Sequence, residues 1–162
     1  MQKIIPFLWF NENAADAAKY YVLVFSEAGR KDSKITNTSY YGEGGPMPKG
    51  TVLTVDFVLD GQQFVALNGG PQFSFSEAVS FVVSCKDQNE VDYFWDNLSE
   101  GGEKVQCGWL KDKFGLSWQV VPEILGKLIS DKDPEKAGRV FDVMLNMEKI
   151  EIDKLEKAYN NK

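Results

Sequence analysis

Chemistry in this chain must run on carboxylates, amides, hydroxyls, phenols, lysine, arginine or two thiols, because its 162 residues include no histidine. That absence removes the Ser-His-Asp and Cys-His nucleophile pairs, the imidazole proton shuttle, and any zinc or iron site with an imidazole ligand. Of the two cysteines, Cys85 and Cys107, the second precedes Gly108 and Trp109 and has the sharper chemical context. A thiol there becomes a nucleophile only if Lys104, Lys111, Lys113 or a helix N-terminus activates it; the other reading is an inert, buried sulfur. Asp112, between Lys111 and Lys113, reads as a solvated turn. Glu12, Asp16 and Asp87 stand where helix starts favour negative charge, so capping accounts for them without catalysis. No residue presents itself as catalytic, and no cofactor is expected.

The charge balance narrows the partners. Eighteen cations against 24 acids give a formal net charge of −6, which argues against nucleic acid, since phosphate neutralisation needs a cationic surface. The two arginines, Arg30 and Arg139, are too few for a bidentate phosphate clamp. No apolar run approaches the ~20 residues of a membrane span, and the N-terminus lacks a signal-peptide hydrophobic region. Two cysteines are too few for a disulfide framework, so reduced thiols and a cytoplasmic location are expected.

The elements that must position any site follow from periodicity. Residues 4–10 are apolar and aromatic and read as a strand. Asn11, Glu12 and Asn13 offer caps for a helix over residues 14–25, where Ala14, Ala17, Ala18, Tyr21, Val22 and Phe25 recur at helical spacing. Strands are expected over 33–41, 51–59 and 62–67, the last two joined by Asp60-Gly61, a two-residue hairpin turn. The glycine- and proline-rich stretch 42–50 is a loop. The order then restarts: a strand over 78–85, a helix through Val91, Phe94, Trp95 and Leu98 behind the cap-plus-acid spacing of Asp87 and Glu90, and strands at 104–106, 109–111 and 117–121. Trp95 and Trp118 are expected in the core, Trp118 on the helix-facing side of its strand. Pro122 closes this second unit. A helical tail follows over 124–129, 137–147 and 153–159, with Val140, Val143, Met144 and Met147 on one face and Leu155 with Tyr159 on another. Such a tail packs on its own domain or docks across a dimer.

Strand-helix-strand-strand-strand, twice in tandem, resembles the vicinal oxygen chelate fold of glyoxalase I, bleomycin-resistance proteins and extradiol dioxygenases. Residues 68–71 (Asn-Gly-Gly-Pro), 80–85 and 107–122, with the tail segment 143–150, are similar to one branch, the PhnB-like or 3-demethylubiquinone 3-methyltransferase-like proteins. The resemblance implies an α+β fold of tandem βαβββ modules with a C-terminal helical tail. It implies one domain over 1–162, with modules at about 1–70 and 78–122 and the tail at 123–162. It further implies a homodimer.

Metal-dependent members of that superfamily place a ligand, usually His, in the first strand of each unit and a Glu in the last strand of a unit. Matched strand to strand, those positions fall near Ile5, Ser80 and Gln119, with the fourth-strand acid around Ala66 or Leu67. An alkyl chain, a hydroxyl and a neutral amide cannot make a compact charged site for a divalent ion, so no metal is expected there. A nucleotide-type methyl-donor site wants a glycine-rich turn opening a helix, and neither 42–46 nor 68–71 leads into one.

In the fold implied by the resemblance, the two sheets curl into an open cup with helices outside. Strand alternation then puts Ile5, Phe7 and Trp9 on the inner face of the first strand, Ser80, Val82 and Ser84 on the fifth, and Ser117, Gln119 and Val121 on the last. Trp109 joins Phe7, Trp9, Ser80, Ser84, Ser117 and Gln119 as pocket candidates, and an aromatic wall facing a polar ladder suits a small amphipathic organic ligand. The other reading is that the serines bond to one another or to backbone and fill a core. Asn68, Gln72, Phe73 and Phe75 lie on an irregular rim segment joining the units, which either covers a ligand or, in a structural role, clasps a neighbouring subunit. Two functions of different classes follow: a metal-free protein binding a small organic molecule, or a divergent lyase-, isomerase- or methyltransferase-type enzyme.

Overall fold

A computed structural model describes residues 4–161. It divides between Phe75 and Ser76 into two compact units. Each unit runs strand-helix-strand-strand-strand, in the order read from periodicity.

The first unit contains β1 (Phe7–Phe10), α1 (Ala14–Glu27), β2 (Lys34–Tyr40), β3 (Val52–Leu59) and β4 (Gln62–Asn68). They form a four-stranded sheet ordered β1-β4-β3-β2, with β1 parallel to β4 and the other pairs antiparallel. α1 covers one face. Its buried stripe is Ala14, Ala17, Ala18, Tyr21, Val24 and Phe25, and three alanines let the backbone come close to the sheet. Beneath lie Leu8, Phe10, Val55, Phe57, Phe64 and Ala66, all buried. Phe57 stacks on Phe64 with ring centroids 5.3 Å apart. Burying each such ring stabilises the unit by roughly 1.5–3 kcal/mol. At the β3–β4 turn both Asp60 (φ 49) and Gly61 (φ 83) are left-handed, as a type I′ hairpin demands. The turn is tied to the α1–β2 connection by Arg30–Asp60 at 2.7 Å and by the Asp60 N–H donating to Ser33 Oγ at 3.0 Å.

The second unit contains β5 (Phe81–Cys85), α2 (Gln88–Leu98), β6 (Glu103–Lys104), β7 (Trp109–Lys111) and β8 (Ser117–Pro122), with sheet order β5-β8-β7-β6. α2 starts on a reciprocal cap. Asp87 Oδ1 accepts from the Glu90 N–H at 3.0 Å, while Glu90 Oε2 accepts from the Lys86 N–H at 2.8 Å. Val91, Phe94, Trp95 and Leu98 form its buried face. The expected strand at 78–85 begins only at Phe81, so Ser80 sits just before the paired residues.

Three helices complete this unit: α3 (Glu123–Ile129), α4 (Pro134–Leu145) and α5 (Ile152–Tyr159). Their cluster of Leu125, Val140, Met147, Ile150 and Leu155 also takes in Val121, Val143, Met144 and Tyr159, which joins the two tail faces read from the sequence. The connection between α4 and α5 is pinned to the sheet. The Cys107 and Gly108 N–H groups donate to Met147 O and Glu148 O, each at 2.7 Å. Gln88 accepts from the Ile152 N–H at 2.8 Å and donates to Ile150 O at 3.1 Å. Among the described residues, no helix is long and apolar enough to cross a membrane.

Candidate functional site

With α1 on one face of the first sheet, the other face is open, and the strand registers arrange it in rows. Phe7 pairs with Val65, Val65 with Asp56, and Asp56 with Asn37. One row on, Trp9 pairs with Leu67, Leu67 with Thr54, and Thr54 with Ser39. Each row runs from apolar on β1 and β4 to polar on β3 and β2. Ser39 and Thr54 share a hydroxyl–hydroxyl bond of 2.6 Å, and Asn37 Nδ2 donates to Asp56 Oδ2 at 3.2 Å. Phe7 is exposed, whereas Trp9 is half-buried. The Trp9 ring meets Phe73 edge-on at 5.0 Å and its Nε1 donates to Gly70 O at 2.9 Å. A Cβ on Gly69 would run into the indole, so this glycine is required by the close approach of Trp9.

The open face of the second sheet carries Val82, Ser84, Trp109 and Gln119, while Val121, expected there by alternation, is taken into the cluster of the tail helices. Val82, Gln119 and Trp109 form one row across β5, β8 and β7. Gln119 Nε2 donates to Ser80 Oγ at 2.9 Å, so the structure brings together the two polar residues expected to meet. Val82 is 59% exposed, Ser84 is exposed, and Ser80, Trp109 and Gln119 are half-buried. Among the described residues, Gln119 Oε1 meets no donor. At the edge of this face Lys111 and Glu77 form an ion pair of 2.5 Å. The hydrogen bond from Lys111 holds the Glu77 carboxyl below its ordinary value, and the same bond raises the lysine.

Several expected roles change in the structure. Ser117 has open-face parity but is 2% exposed, so it presents no surface to a ligand. Asp112 is not a solvated turn. It is also 2% exposed, with Oδ1 accepting from the Phe114 and Leu116 N–H groups and Oδ2 from Trp118 Nε1 at 2.8 Å. Trp118 lies on the helix-facing side, as read, and its polar indole edge needs a buried acceptor. Asn68 is buried, and its Oδ1 accepts from the Ala14 N–H at 2.8 Å while its Nδ2 donates to Val52 O at 3.0 Å. It is a structural joint, and it caps α1 where Asn13, the N-cap residue, makes no side-chain bond. The other rim residues divide: Gln72 and Phe73 are exposed, while Phe75 is half-buried and packs edge-on against Phe10 at 5.1 Å.

Cys107 is backbone scaffolding. Its φ of 59 and its N–H bond to Met147 O fix it, and its Sγ lies 3.6 Å from Met144 O. The three lysines near it in sequence have other neighbours: Lys104 sits 5.9 Å over the Trp95 ring, Lys113 sits 5.5 Å over Phe114, and Lys111 pairs with Glu77.

The positions matching the superfamily's metal ligands do not fit a divalent ion. Ile5 offers an alkyl chain, Gln119 turns its amide nitrogen to Ser80, Ala66 is buried beneath α1, and Leu67 is alkyl. Among the described residues, no three Cys, Asp or Glu side chains lie together in a group that could hold one. The glycine-rich stretches lead elsewhere than into helix N-termini. Residues 42–50 run into β3, and Gly69 and Gly70 donate back to Phe10 O and Asn11 O.

Asp56, Asn37 and Thr36, which line or border the open face of the first sheet, are not among the residues expected there from sequence. An acid amid the apolar run of β3 was the available signal, since alternation puts it opposite the helix-facing Val55 and Phe57.

Comparison with known proteins agrees with this geometry. The family described as 3-demethylubiquinone-9 3-methyltransferase matches over residues 2–121. A solved structure from Bacillus cereus, a PhnB protein that carries the same methyltransferase name, is 33% identical, with a TM-score of 0.66 over 75% of this chain and 99% of the relative. A Pseudomonas aeruginosa protein is 20% identical, with a TM-score of 0.61 over 76% of this chain and 98% of its own. The fosfomycin resistance protein FosX of Listeria monocytogenes is 12% identical, with a TM-score of 0.54 over 78% of this chain and 94% of its own. At the last two identities the likeness is one of fold. The curated proteins contain no match. Family match, relatives and tandem βαβββ units agree: the chain belongs to the 3-demethylubiquinone-9 3-methyltransferase, or PhnB-like, family and has the glyoxalase and bleomycin-resistance fold.

Proposed function

We propose that this protein binds a small organic molecule on the open faces of its sheets and works without the metal of its superfamily. The observation that carries the reading is the Ser80–Gln119 hydrogen bond on an uncovered face. An uncharged hydroxyl–amide pair stands where the superfamily's metal ligands would be. Beside it, Val82 and Trp109 supply apolar contact and Gln119 Oε1 supplies an acceptor. Such a mix of apolar surface and few polar groups suits recognition of a neutral amphipathic ligand. Enzymatic turnover of the lyase, isomerase or methyltransferase type is supported by the family's name alone. The homodimer and the cytoplasmic location expected from sequence belong to the same proposal, and sedimentation of the purified chain tests the first of them.

Benzamide is a suitable probe because its amide complements that of Gln119. In ¹⁵N-labelled protein it is expected to shift the amides of Val82, Trp109 and Gln119. Gln119→Leu should abolish those shifts with little loss of fold. Unchanged shifts would move the site elsewhere, and stoichiometric Mn, Ni, Zn or Fe in untagged protein would sink the metal-free reading.

A further inference from the structure

The open face of the first sheet holds a cavity of about 150 Å³ lined by Ile5, Thr36, Asp56, Gln63 and Val65, together with the adjacent Phe57 and Phe64. It lies within one unit and is distinct from the Ser80–Gln119 pair. Its chemistry is lopsided. One wall is alkyl, from Ile5 and Val65; the other is the carboxylate of Asp56 beside the Gln63 amide.

Asp56 is half-buried in the middle of the sheet, where an unpaired carboxylate is costly and needs a local reason. The support it receives is modest. Asn37 Nδ2 donates to it at 3.2 Å, and Thr36 Oγ1 donates to the Asp56 backbone carbonyl rather than to the carboxylate. Among the described residues, no lysine or arginine forms an ion pair with it. The cation in the next row, Lys34, turns to Asp32 at 3.6 Å. Among the described residues the carboxylate is therefore oriented by one amide, meets no cationic partner, and lies beside an apolar shelf continued by Phe7.

We propose that Asp56 is the specificity-determining residue of this cavity and selects ligands carrying a primary ammonium or comparable N–H donor next to an apolar or aromatic body. The inference rests on the small-molecule-binding reading and names the ligand class for the first sheet. A cation placed between Asp56 Oδ atoms and Gln63 makes charge-assisted bonds, while its hydrocarbon part covers Ile5, Val65 and Phe7. The net charge of −6 favours approach of the same class of ligand. The cavity is smaller than the ~300–1,000 Å³ of drug-sized sites, which limits the buried part to a single ring or a short chain with its amine.

The test is a three-probe titration of the ¹⁵N-labelled full chain with benzylamine, benzyl alcohol and benzoate, which share a ring and differ in charge. Benzylamine should shift the amides of Asn37, Asp56 and Val65 and bind there about threefold to tenfold more tightly than benzyl alcohol, with benzoate weakest. Asp56→Asn should erase the preference for the amine, and Gln119→Leu should leave it intact. Equal affinities, a preference for benzoate, or an amine preference that survives Asp56→Asn would each overturn the proposal. If Asp56→Asn fails to fold, the wild-type ranking of the three probes decides alone. If benzamide binds at Gln119 while no probe prefers Asp56, only this inference falls. If no probe shifts either open face, both readings fall.

Discussion

Asn68, the last residue of β4, accepts a hydrogen bond at Oδ1 from the N–H of Ala14, the first residue of α1, 54 positions earlier. The cap of the helix is thus supplied by the strand that lies parallel to β1. Its Nδ2 holds Val52 O, and its carbonyl accepts from Tyr41 Oη at 2.6 Å. Asn68→Ala leaves a buried helix N–H and a strand carbonyl unsatisfied, and is expected to cost about 2–4 kcal/mol. Asn68→Asp keeps the acceptor and loses the donor, so it should cost less than alanine. Urea unfolding of both variants checks the order.

Gly69→Ala sets a Cβ against the Trp9 indole. The ring must leave its place over Gly69 and give up the Nε1 bond to Gly70 O. The expected loss is roughly 1–3 kcal/mol, the range of overpacked sites. A changed near-ultraviolet dichroism band from Trp9 should accompany it.

Asp112 accepts three hydrogen bonds while buried. Asp112→Ala orphans two backbone donors and the Trp118 indole N–H, and should destabilise by about 3 kcal/mol or more. Neutralising Lys113, which is exposed, should change stability by less than ~0.5 kcal/mol. Paired thermal melts of the two variants compare a buried knot with its exposed neighbour.

The tail connection has a pH signature. Lys149 hydrogen-bonds Asp92 at 2.8 Å and holds its carboxyl below the ordinary value; Asp92 in turn raises the lysine. A depressed carboxyl contributes stability above its unfolded value near ~3.9 and loses it as pH falls through the depressed one. The raised lysine contributes fully below its unfolded value near ~10.4 and loses its share as pH climbs through the raised one. Between those limits the pair is at full strength, though both groups are over a third exposed and the gain is below ~1 kcal/mol. Lys149→Met should therefore speed exchange of the Cys107, Gly108 and Ile152 amides a few-fold at neutral pH, and have no effect once Asp92 is protonated.

The sequence carried most of the fold. The stripe Ala14, Ala17, Ala18, Tyr21, Phe25 and the turn Asp60-Gly61 are local signals that the structure places as read, although Val24 and not the expected Val22 completes the buried face of α1. Asp87 with Glu90 is another. What escaped were residues whose partners are brought to them by a turn or a strand pairing that periodicity does not show. Asn68 looked like a rim residue because its donor, Ala14, is 54 positions away. Asp112 looked solvated because its flanking lysines are, while its partner Trp118 sits beyond a turn. Asp56 escaped because a site on a sheet is defined across strands, and only the registers reveal that it shares a row with Val65 and Phe7.

The two thiols sit at different depths, which gives the molecule two internal clocks. Cys85 is fully buried beneath α2, so a slow alkylating reagent reaches it when the second unit opens as a whole. Cys107 is half-buried under the Met144 carbonyl, so its labelling follows release of the α4–α5 connection. The ratio of the two labelling rates measures how far tail detachment is uncoupled from unfolding of the sheet it rests on.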